Sequence, residues 1–247
     1  VAMKANMKIL LIASFPDSVI DFRGSLIKTM LDRGMKVSVA APGLSEGNDA
    51  RQALEEKGVV ACDIPLGRTA ASPFKDLSLL WHLRGLMRDT RPDIVLAYTI
   101  KPVIYGSLAA WLAKVPHRFA LVTGLGYIFT GNKKGAVYWL TRLLYRLALG
   151  RVSKVIFQNP DDRALFLDDG IVSAHVASAV VNGSGIDLGS FSVELISNAT
   201  ARFLMIARLL GDKGVREYAE AAQKIRASIP DVRFSLVGWI DENPNSI

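Results

Sequence analysis

The chain has 247 residues, 50% of them hydrophobic and 21% charged, and carries a formal net charge of +7. That apolar share excludes a disordered chain, and the length allows one large domain or two modest ones. A sequence pI of about 9.6 calls for an anionic partner, and nucleic acid, anionic lipid and nucleotide diphosphates all qualify.

Short apolar runs alternate with longer stretches of helical period. The apolar run from Met7 to Ser14 follows lysines, but Pro16, Asp17 and Asp21 break it too early for a signal peptide, so a buried strand over Lys8–Ala13 is expected. A helix over Asp21–Arg33, a strand over Lys36–Ala40 and a helix over Asp49–Lys57 follow. The next strand, Val59–Ile64, holds Cys62, the single cysteine, which excludes an internal disulfide and a cysteine-based zinc site and reads as a small buried hydrophobe. The pattern continues with helix Lys75–Arg88, strand Ile94–Ala97, helix Val103–Lys114, strand Arg118–Val122 and helix Ala136–Leu149. Strand Val155–Gln158, helix Asp161–Asp168 and strand Ala177–Val181 complete the series. Pro42-Gly43, Arg91-Pro92-Asp93 and Val115-Pro116 fall at element boundaries, where such residues stop or turn the chain. After about Gly189 the rhythm restarts with strand Arg202–Ala207, helix Val215–Ser228 and strand Val232–Gly238. Alternation of this kind predicts an α/β fold with a doubly wound, mostly parallel sheet. No apolar run approaches the roughly 18 residues of a spanning helix.

Several stretches carry chemistry. Arg208 ends the apolar strand Phe203–Ala207, and Lys213 stands just before the helix that opens at Val215. Alone, the two read as solvated surface cations; beside a helix N-terminus they also suit a diphosphate, because fixed charge, N–H donors and the helix dipole converge. Ahead of them, Val180-Val181-Asn182-Gly183-Ser184-Gly185-Ile186-Asp187 ends a strand in a glycine-rich turn. Thr123-Gly124-Leu125-Gly126-Tyr127 leaves a strand at its carboxyl end, where open α/β sheets bind ligands. Asp21-Phe22-Arg23-Gly24 lacks the spacing of a dinucleotide fingerprint, which disfavours a nicotinamide oxidoreductase. Gly24, opening a helix, either admits a ligand to the backbone or allows close helix–sheet packing. Over Ala136–Arg151 an apolar face (Trp139, Leu140, Leu143, Leu144, Leu147, Ala148) lies beside Arg142 and Arg146, with Lys133 and Lys134 just before it. Such a helix either lies in a membrane interface or packs on the sheet with its arginines in solvent. Tyr105, Trp111 and Lys114, with Lys101 at the start of their helix, form a second candidate lipid-facing surface. Asn159-Pro160-Asp161-Asp162 reads as a helix cap. His82, His117 and His175 are lone histidines without a ligand pattern, and no spacing suggests a metal site.

Asp21-Phe22-Arg23-Gly24, Tyr98-Thr99-Ile100-Lys101-Pro102, Thr123–Thr130, Phe157–Asp162, the glycine-rich turn and the Arg208/Lys213 segment stand together in one order. In that order the chain resembles bacterial glycosyltransferases of family 4, from about Met7 to its last residue, and within them the capsule and lipid-linked-oligosaccharide branch. The resemblance implies a GT-B fold: a complete Rossmann-like domain over residues 7–187 on the acceptor side, and the beginning of a second, nucleotide-sugar-binding domain over 188–247. It implies a retaining transfer of a hexose or N-acetylhexosamine from a UDP-sugar to a polyprenyl-diphosphate-linked saccharide, without a metal or other cofactor. Arg208 and Lys213 would hold the donor diphosphate. Arg23, Gly24, Thr123, Gly124, Gly126 and Tyr127 would line the cleft, and Asn182, Gly183 and Gly185 would form the hinge. Lys133, Lys134, Arg142 and Arg146 would face an anionic membrane, with the protein peripheral on the inner face of the cytoplasmic membrane and nucleic acid not a partner.

The sequence departs from the family pattern at Thr123, where many members carry a histidine against the donor sugar, so no catalytic residue is named. Two strands and one helix after Gly189 cannot close a core, and the glutamate pair that engages the donor in this family is absent. The chain is therefore expected to be an incomplete piece, inactive by itself. A GT-B sugar-nucleotide epimerase and a non-catalytic, membrane-associated acceptor-binding domain are the alternatives.

Overall fold

Ile9 and Leu11 enter one apolar cluster and Leu10 and Ile12 another, so the first strand, β1 (Lys8–Ile12), is buried on both sides. All five residues of β4 (Ile94–Tyr98) are buried as well. Strands covered on both faces need no polar alternation, which is why they read as continuous apolar runs. In the computed structural model, which describes residues 5–67, 72–124, 135–193 and 201–238, the chain forms two compact units, Val1–Asp187 and Leu188–Ile247.

In the first unit β1 and β4 pair at the centre of a seven-stranded sheet of order β3-β2-β1-β4-β5-β6-β7. Its other strands are β2 (Lys36–Ala41), β3 (Val60–Asp63), β5 (His117–Val122), β6 (Lys154–Phe157) and β7 (Ser178–Val180), and every neighbouring pair is parallel. This is the doubly wound α/β architecture that the alternating pattern predicts. One face is covered by α1 (Pro16–Asp32) and α2 (Asp49–Glu55), through Val19, Ile27, Met30 and Leu54. The other carries α3 (Pro73–Thr90), a π-helical turn (Pro102–Gly106) running into α4 (Ser107–Leu112), then α5 (Ala136–Leu149) and α6 (Pro160–Asp168). Leu79, Leu83, Val103, Ile104, Tyr145, Leu149 and Phe166 fill that side. Phe166 makes edge-on contacts with Tyr145 and Phe157 at 5.4 and 5.5 Å. The expected cap forms, Asn159 Oδ1 accepting from Asp162 N at 2.7 Å; Asn48 caps α2 in the same way, accepting from Ala50 N at 2.9 Å.

Two helices differ from expectation. α1 starts at Pro16 rather than Asp21, because proline is favoured at a first helical position, where its missing N–H has no partner to lose. The helix expected from Val103 begins instead as a π turn at Pro102, which brings Gly106 against β1 and β4. α5 packs on the cluster through only part of its surface, leaving most of its apolar face outside. Thr141, Tyr145, Ala148 and Leu149 are its buried residues, while Trp139, Leu140, Leu143 and Leu147 point to solvent. No helix among the described residues is long and apolar enough to cross a membrane.

The second unit pairs β8 (Arg202–Ile206) with β9 (Arg233–Val237) in parallel, from Arg202 opposite Arg233 to Ile206 opposite Val237. Between them runs α7 (Val215–Ser228), entered through a 3-10 turn at Gly211–Lys213. Phe203 stacks on Phe234 at 4.9 Å, and the Tyr218 hydroxyl of α7 lies 3.0 Å from Phe203 O and 2.9 Å from Ser235 O, fastening helix to sheet.

The glycine at the π turn yields a stability test. A methyl group at Gly106 would stand 2.8 Å from Ile12 Cδ1 and 3.4 Å from Ala97 Cβ, both fully buried, so Gly106→Ala should destabilise the fold by about 1–3 kcal/mol. At Gly85, inside α3, an added methyl would meet no atom of the described residues within 4 Å, so Gly85→Ala should instead gain about 0.4–1 kcal/mol. Urea denaturation of both variants measures the contrast.

Candidate functional site

In a doubly wound sheet, the loops after the two strands that flank the point of order reversal diverge and leave a crevice. Here those strands are β1 and β4. Ser14 follows β1, and Thr99 follows β4 with a left-handed φ of 70°. The Thr99 hydroxyl donates to Ser14 Oγ at 2.9 Å, tying the two loops together. Ser18, in the first turn of α1, donates to Phe15 O at 2.6 Å, which leaves the Tyr98 hydroxyl as donor in its 3.3 Å contact with Ser18 Oγ. Tyr98 is 2% exposed, and burial raises the pKa of its phenol.

Arg23 crosses this crevice from α1. Its guanidinium sits 4.8 Å from the centre of the Tyr98 ring and donates through Nη1 to Phe22 O at 2.9 Å and to Ser184 Oγ at 2.6 Å. Gln158, at the end of β6, donates to the same Ser184 oxygen at 3.2 Å. Arg23 is 5% exposed, yet no carboxylate pairs with it among the described residues, and its Nε has no hydrogen-bond partner there. Burial lowers its pKa, with the neighbouring Tyr98 hydroxyl pulling the other way. A buried charge without a counter-charge is costly, and an arginine at a ligand-binding edge is relieved by a bound anion.

The other expected cleft residues divide. Thr123 and Gly124 lie just beyond the end of β5, half-buried, with Gly124 at φ 150°. Gly126 and Tyr127 lie outside the described residues, as do Lys133 and Lys134. Gly24 does not open a helix: it stands inside α1, so its N–H is spent on the helix ladder. Nor is it there for tight packing, since a Cβ would meet no atom of the described residues within 4 Å. Gly183 and Gly185 of the expected hinge have left-handed φ values of 71° and 72° beside Asn182, all three exposed.

The lipid-facing expectation needs correction at two residues. Lys101 and Tyr105 turn inward, onto the buried Asp76: Lys101 Nζ lies 2.9 Å from Oδ1, and the Tyr105 hydroxyl donates to Oδ2 at 3.2 Å. Burial and that carboxylate push the Tyr105 phenol up to about 12. Arg142 is half-buried and donates to the carbonyl of Asp169, while Arg146 is exposed. Cys62 is half-buried against the core, and desolvation raises its thiol pKa, so it stays protonated and unreactive.

In the second unit the chain leaves β8 at Ile206 and reaches α7 through Arg208 and Lys213, both exposed. Gly214, at φ 75°, occupies the N-cap of α7 and supplies no side-chain cap, with Lys213 just before it and Glu217 in the first turn.

A family model described as a glycosyl transferase 4-like domain matches residues 22–183. The N,N'-diacetylbacillosaminyl-diphospho-undecaprenol alpha-1,3-N-acetylgalactosaminyltransferase of Campylobacter jejuni is 30% identical over 243 residues, covering 92% of this chain and 62% of that protein. The UDP-Gal:alpha-D-GlcNAc-diphosphoundecaprenol alpha-1,3-galactosyltransferase of Escherichia coli is 28% identical over 180 residues, covering 68% of this chain and 46% of that one. The chain thus spans about half to three-fifths of the length of these relatives. Among solved structures, sucrose-phosphate synthase from Thermosynechococcus elongatus superposes with a TM-score of 0.68 at 14% identity, over 96% of this chain and 63% of that one, which establishes the shared fold.

Substituting Arg23 separates ligand binding from folding. Arg23→Met keeps the stem against Tyr98 and removes the charge. The lost charge-assisted hydrogen bonds, about 1.5–3 kcal/mol each, are offset by relief of a desolvation penalty of several kcal/mol. The thermal midpoint followed by circular dichroism should therefore be unchanged or higher. A large drop would make Arg23 a structural residue.

Proposed function

The chain belongs to the glycosyl transferase 4-like family, and on that premise we propose that it is part of a glycosyltransferase of lipid-linked glycan assembly. The reaction moves a hexose or N-acetylhexosamine from a UDP-sugar to a saccharide carried on polyprenyl diphosphate. The observation that carries this reading is the 30% identity over 243 residues to an enzyme whose name joins a diphospho-undecaprenol acceptor to sugar transfer. The second relative names the same type of acceptor together with a UDP-sugar.

The residues support a division of roles. Arg23, buried without a counter-charge at the β1/β4 crevice, suits the diphosphate of the acceptor, with Ser14, Ser18 and Thr99 as hydroxyl partners for sugar or phosphate oxygens. Thr123 and Gly124 stand at the same carboxyl edge of the sheet. Arg208 and Lys213, at the N-terminus of α7, suit the donor diphosphate. As UDP leaves, charge grows on its β-phosphate, and fixed cations stabilise that charge more in the transition state than in the ground state. Retention at the anomeric carbon accords with the alpha linkages in the names of both relatives. Left-handed Gly183 and Gly185, with Asn182, suit a hinge in the linker. An acceptor on a polyprenyl chain keeps the protein at the bilayer surface, peripheral on the cytoplasmic side where UDP-sugars are made. An epimerase would need acid and base groups, and among the described residues the crevice offers hydroxyls, an amide and a guanidinium but no carboxylate or imidazole, which gives that reading no support.

Donor and acceptor arms can be tested apart in the full-length enzyme. Arg208→Ala and Lys213→Ala should each weaken UDP binding by about 1.5–3 kcal/mol in calorimetry. Arg23→Met should leave UDP affinity alone and raise KM for a detergent-soluble prenyl-diphosphate saccharide tenfold or more. Unchanged UDP affinity in both cation variants would remove the donor assignment.

A further inference from the structure

All three tryptophans among the described residues lie on the same helical layer of the first unit, and each has a guanidinium over its ring. Trp81 of α3 is met by Arg84 at 5.2 Å, Trp111 of α4 by Arg151 at 4.5 Å, and Trp139 of α5 by Arg142 at 5.2 Å. α3 packs against α4 and the π turn, and α5 packs against the same two, all over one apolar cluster. Their outward sides therefore belong to one side of the unit.

That side is apolar where a water-facing helix should be polar. α5 exposes Val137, Trp139, Leu140, Leu143 and Leu147, with Leu143 at 52%, directly opposite the stripe it buries. α3 exposes Phe74, Leu77 and Trp81 at helical spacing. A helix apolar on both its buried and its exposed stripes has a second apolar environment to meet.

The charge pattern says which one. Between Ile94 and Pro160 the sequence has nine lysines and arginines and no aspartate or glutamate, and this stretch supplies both α4 and α5. On α3, Asp76 is turned inward onto Lys101, and Asp89 is exposed in the last turn beside Arg88. Asp169 lies beside the layer, occupied by Tyr138 through its carboxylate and by Arg142 through its carbonyl. A second copy of the chain would bring arginines against arginines, so self-association is disfavoured by charge. An anionic bilayer matches both properties. Tryptophan settles at the headgroup level, leucine and phenylalanine reach the acyl boundary, and guanidinium groups stay among the phosphates.

We propose that the outer side of the α3–α4–α5 layer is a docking surface for anionic phospholipid bilayer, held by inserted apolar side chains and rimmed by the three tryptophan–arginine pairs. This deepens, and rests on, the reading of a lipid-linked acceptor by naming where the bilayer meets the chain. It adds inserted apolar side chains to the basic face expected from Lys133, Lys134, Arg142 and Arg146: insertion of Leu143 and Leu147 carries the contact and the cations orient it.

The experiment uses the 247-residue chain with phosphatidylglycerol-containing vesicles, with and without brominated acyl chains. The chain should co-sediment with the vesicles, and its tryptophan fluorescence should be quenched by the brominated lipid, less so in Trp139→Ala. The double variant Leu143→Glu/Leu147→Glu alters two exposed side chains, so circular dichroism should be unchanged while vesicle partition falls at least tenfold. Partition that is equal in the folded double variant, or absent in the parent chain, overturns the proposal. So does partition without quenching. A dimer in sedimentation velocity that the double variant abolishes, without vesicle binding, assigns the face to a second copy. UDP affinity and transfer to the detergent-soluble acceptor, both read in the full-length enzyme, do not depend on this surface. Loss of vesicle binding with those intact sinks the docking surface alone; vesicle binding without them sinks the glycosyl-transfer reading alone.

Discussion

Pairing of β1 with β4, from Ile9 opposite Ile94 to Ile12 opposite Ala97, is the constraint on which the first unit depends. Parallel neighbours cannot be joined by a tight turn, so each must be reached through a crossover that covers one face of the sheet. The segment after β1 goes to one face as α1, and the segment after β4 goes to the other as the π turn and α4. Two chains leaving adjacent strands on opposite sides cannot fill the space between them. The crevice that brings Ser14, Ser18, Arg23, Tyr98 and Thr99 together is thus a consequence of strand order rather than of any one loop. Gly106 adds to this: without a Cβ, the π turn can close on Ile12 and Ala97 and fix where β4 delivers Thr99.

Arg23 is where the fold departs from what stability alone would select. Nearly all of its surface is covered, its Nε is unpartnered among the described residues, and its other contacts are neutral oxygens and an aromatic ring. A methionine or leucine would serve the core as well or better. Asp76 is the counter-example within the same unit, since Lys101 and Tyr105 satisfy both of its carboxylate oxygens and make it an internal fastener. The difference between a satisfied buried charge and an unsatisfied one is what distinguishes a structural group from a candidate ligand-binding group here.

The strands and the fold class were legible in the sequence because doubly buried strands show as short apolar runs cut off by proline and glycine. The errors have specific causes. Pro16 looked like a stop and is a start, because only its position relative to the first turn separates the two. Gly24 looked like punctuation and is an interior helical residue. On α5, patterning gave an apolar face with two possible destinations; of that face Ala148 is buried, and the other inward positions are taken by Thr141, Tyr145 and Leu149, of which Thr141 and Tyr145 carry no strong pattern. The site was readable only as separate segments. Arg23 meets Ser184 across 161 positions and Thr99 meets Ser14 across 85, and no local spacing encodes such contacts. The resemblance to family 4 named Arg23 among several segments, but carried no information on which side chain would be buried without a counter-charge.

The same topological rule connects the crevice to the tryptophan layer. In a parallel sheet every crossover helix starts at the carboxyl edge, the edge that holds the crevice, and runs back toward the amino edge. Phe74 and Leu77 at the start of α3, and Val137, Trp139 and Leu140 at the start of α5, therefore lie toward the crevice end of the layer, whereas Trp111 lies toward the other. Apolar exposure is weighted to the end where an acceptor would enter. A bilayer touching that end would present a polyprenyl diphosphate at headgroup level, with its diphosphate and sugars standing out of the membrane toward Arg23, and no lipid would need to leave the bilayer for its charged part to reach the crevice. Under the proposed docking, position on the membrane and access to the site would both follow from one feature, the direction in which parallel crossovers run.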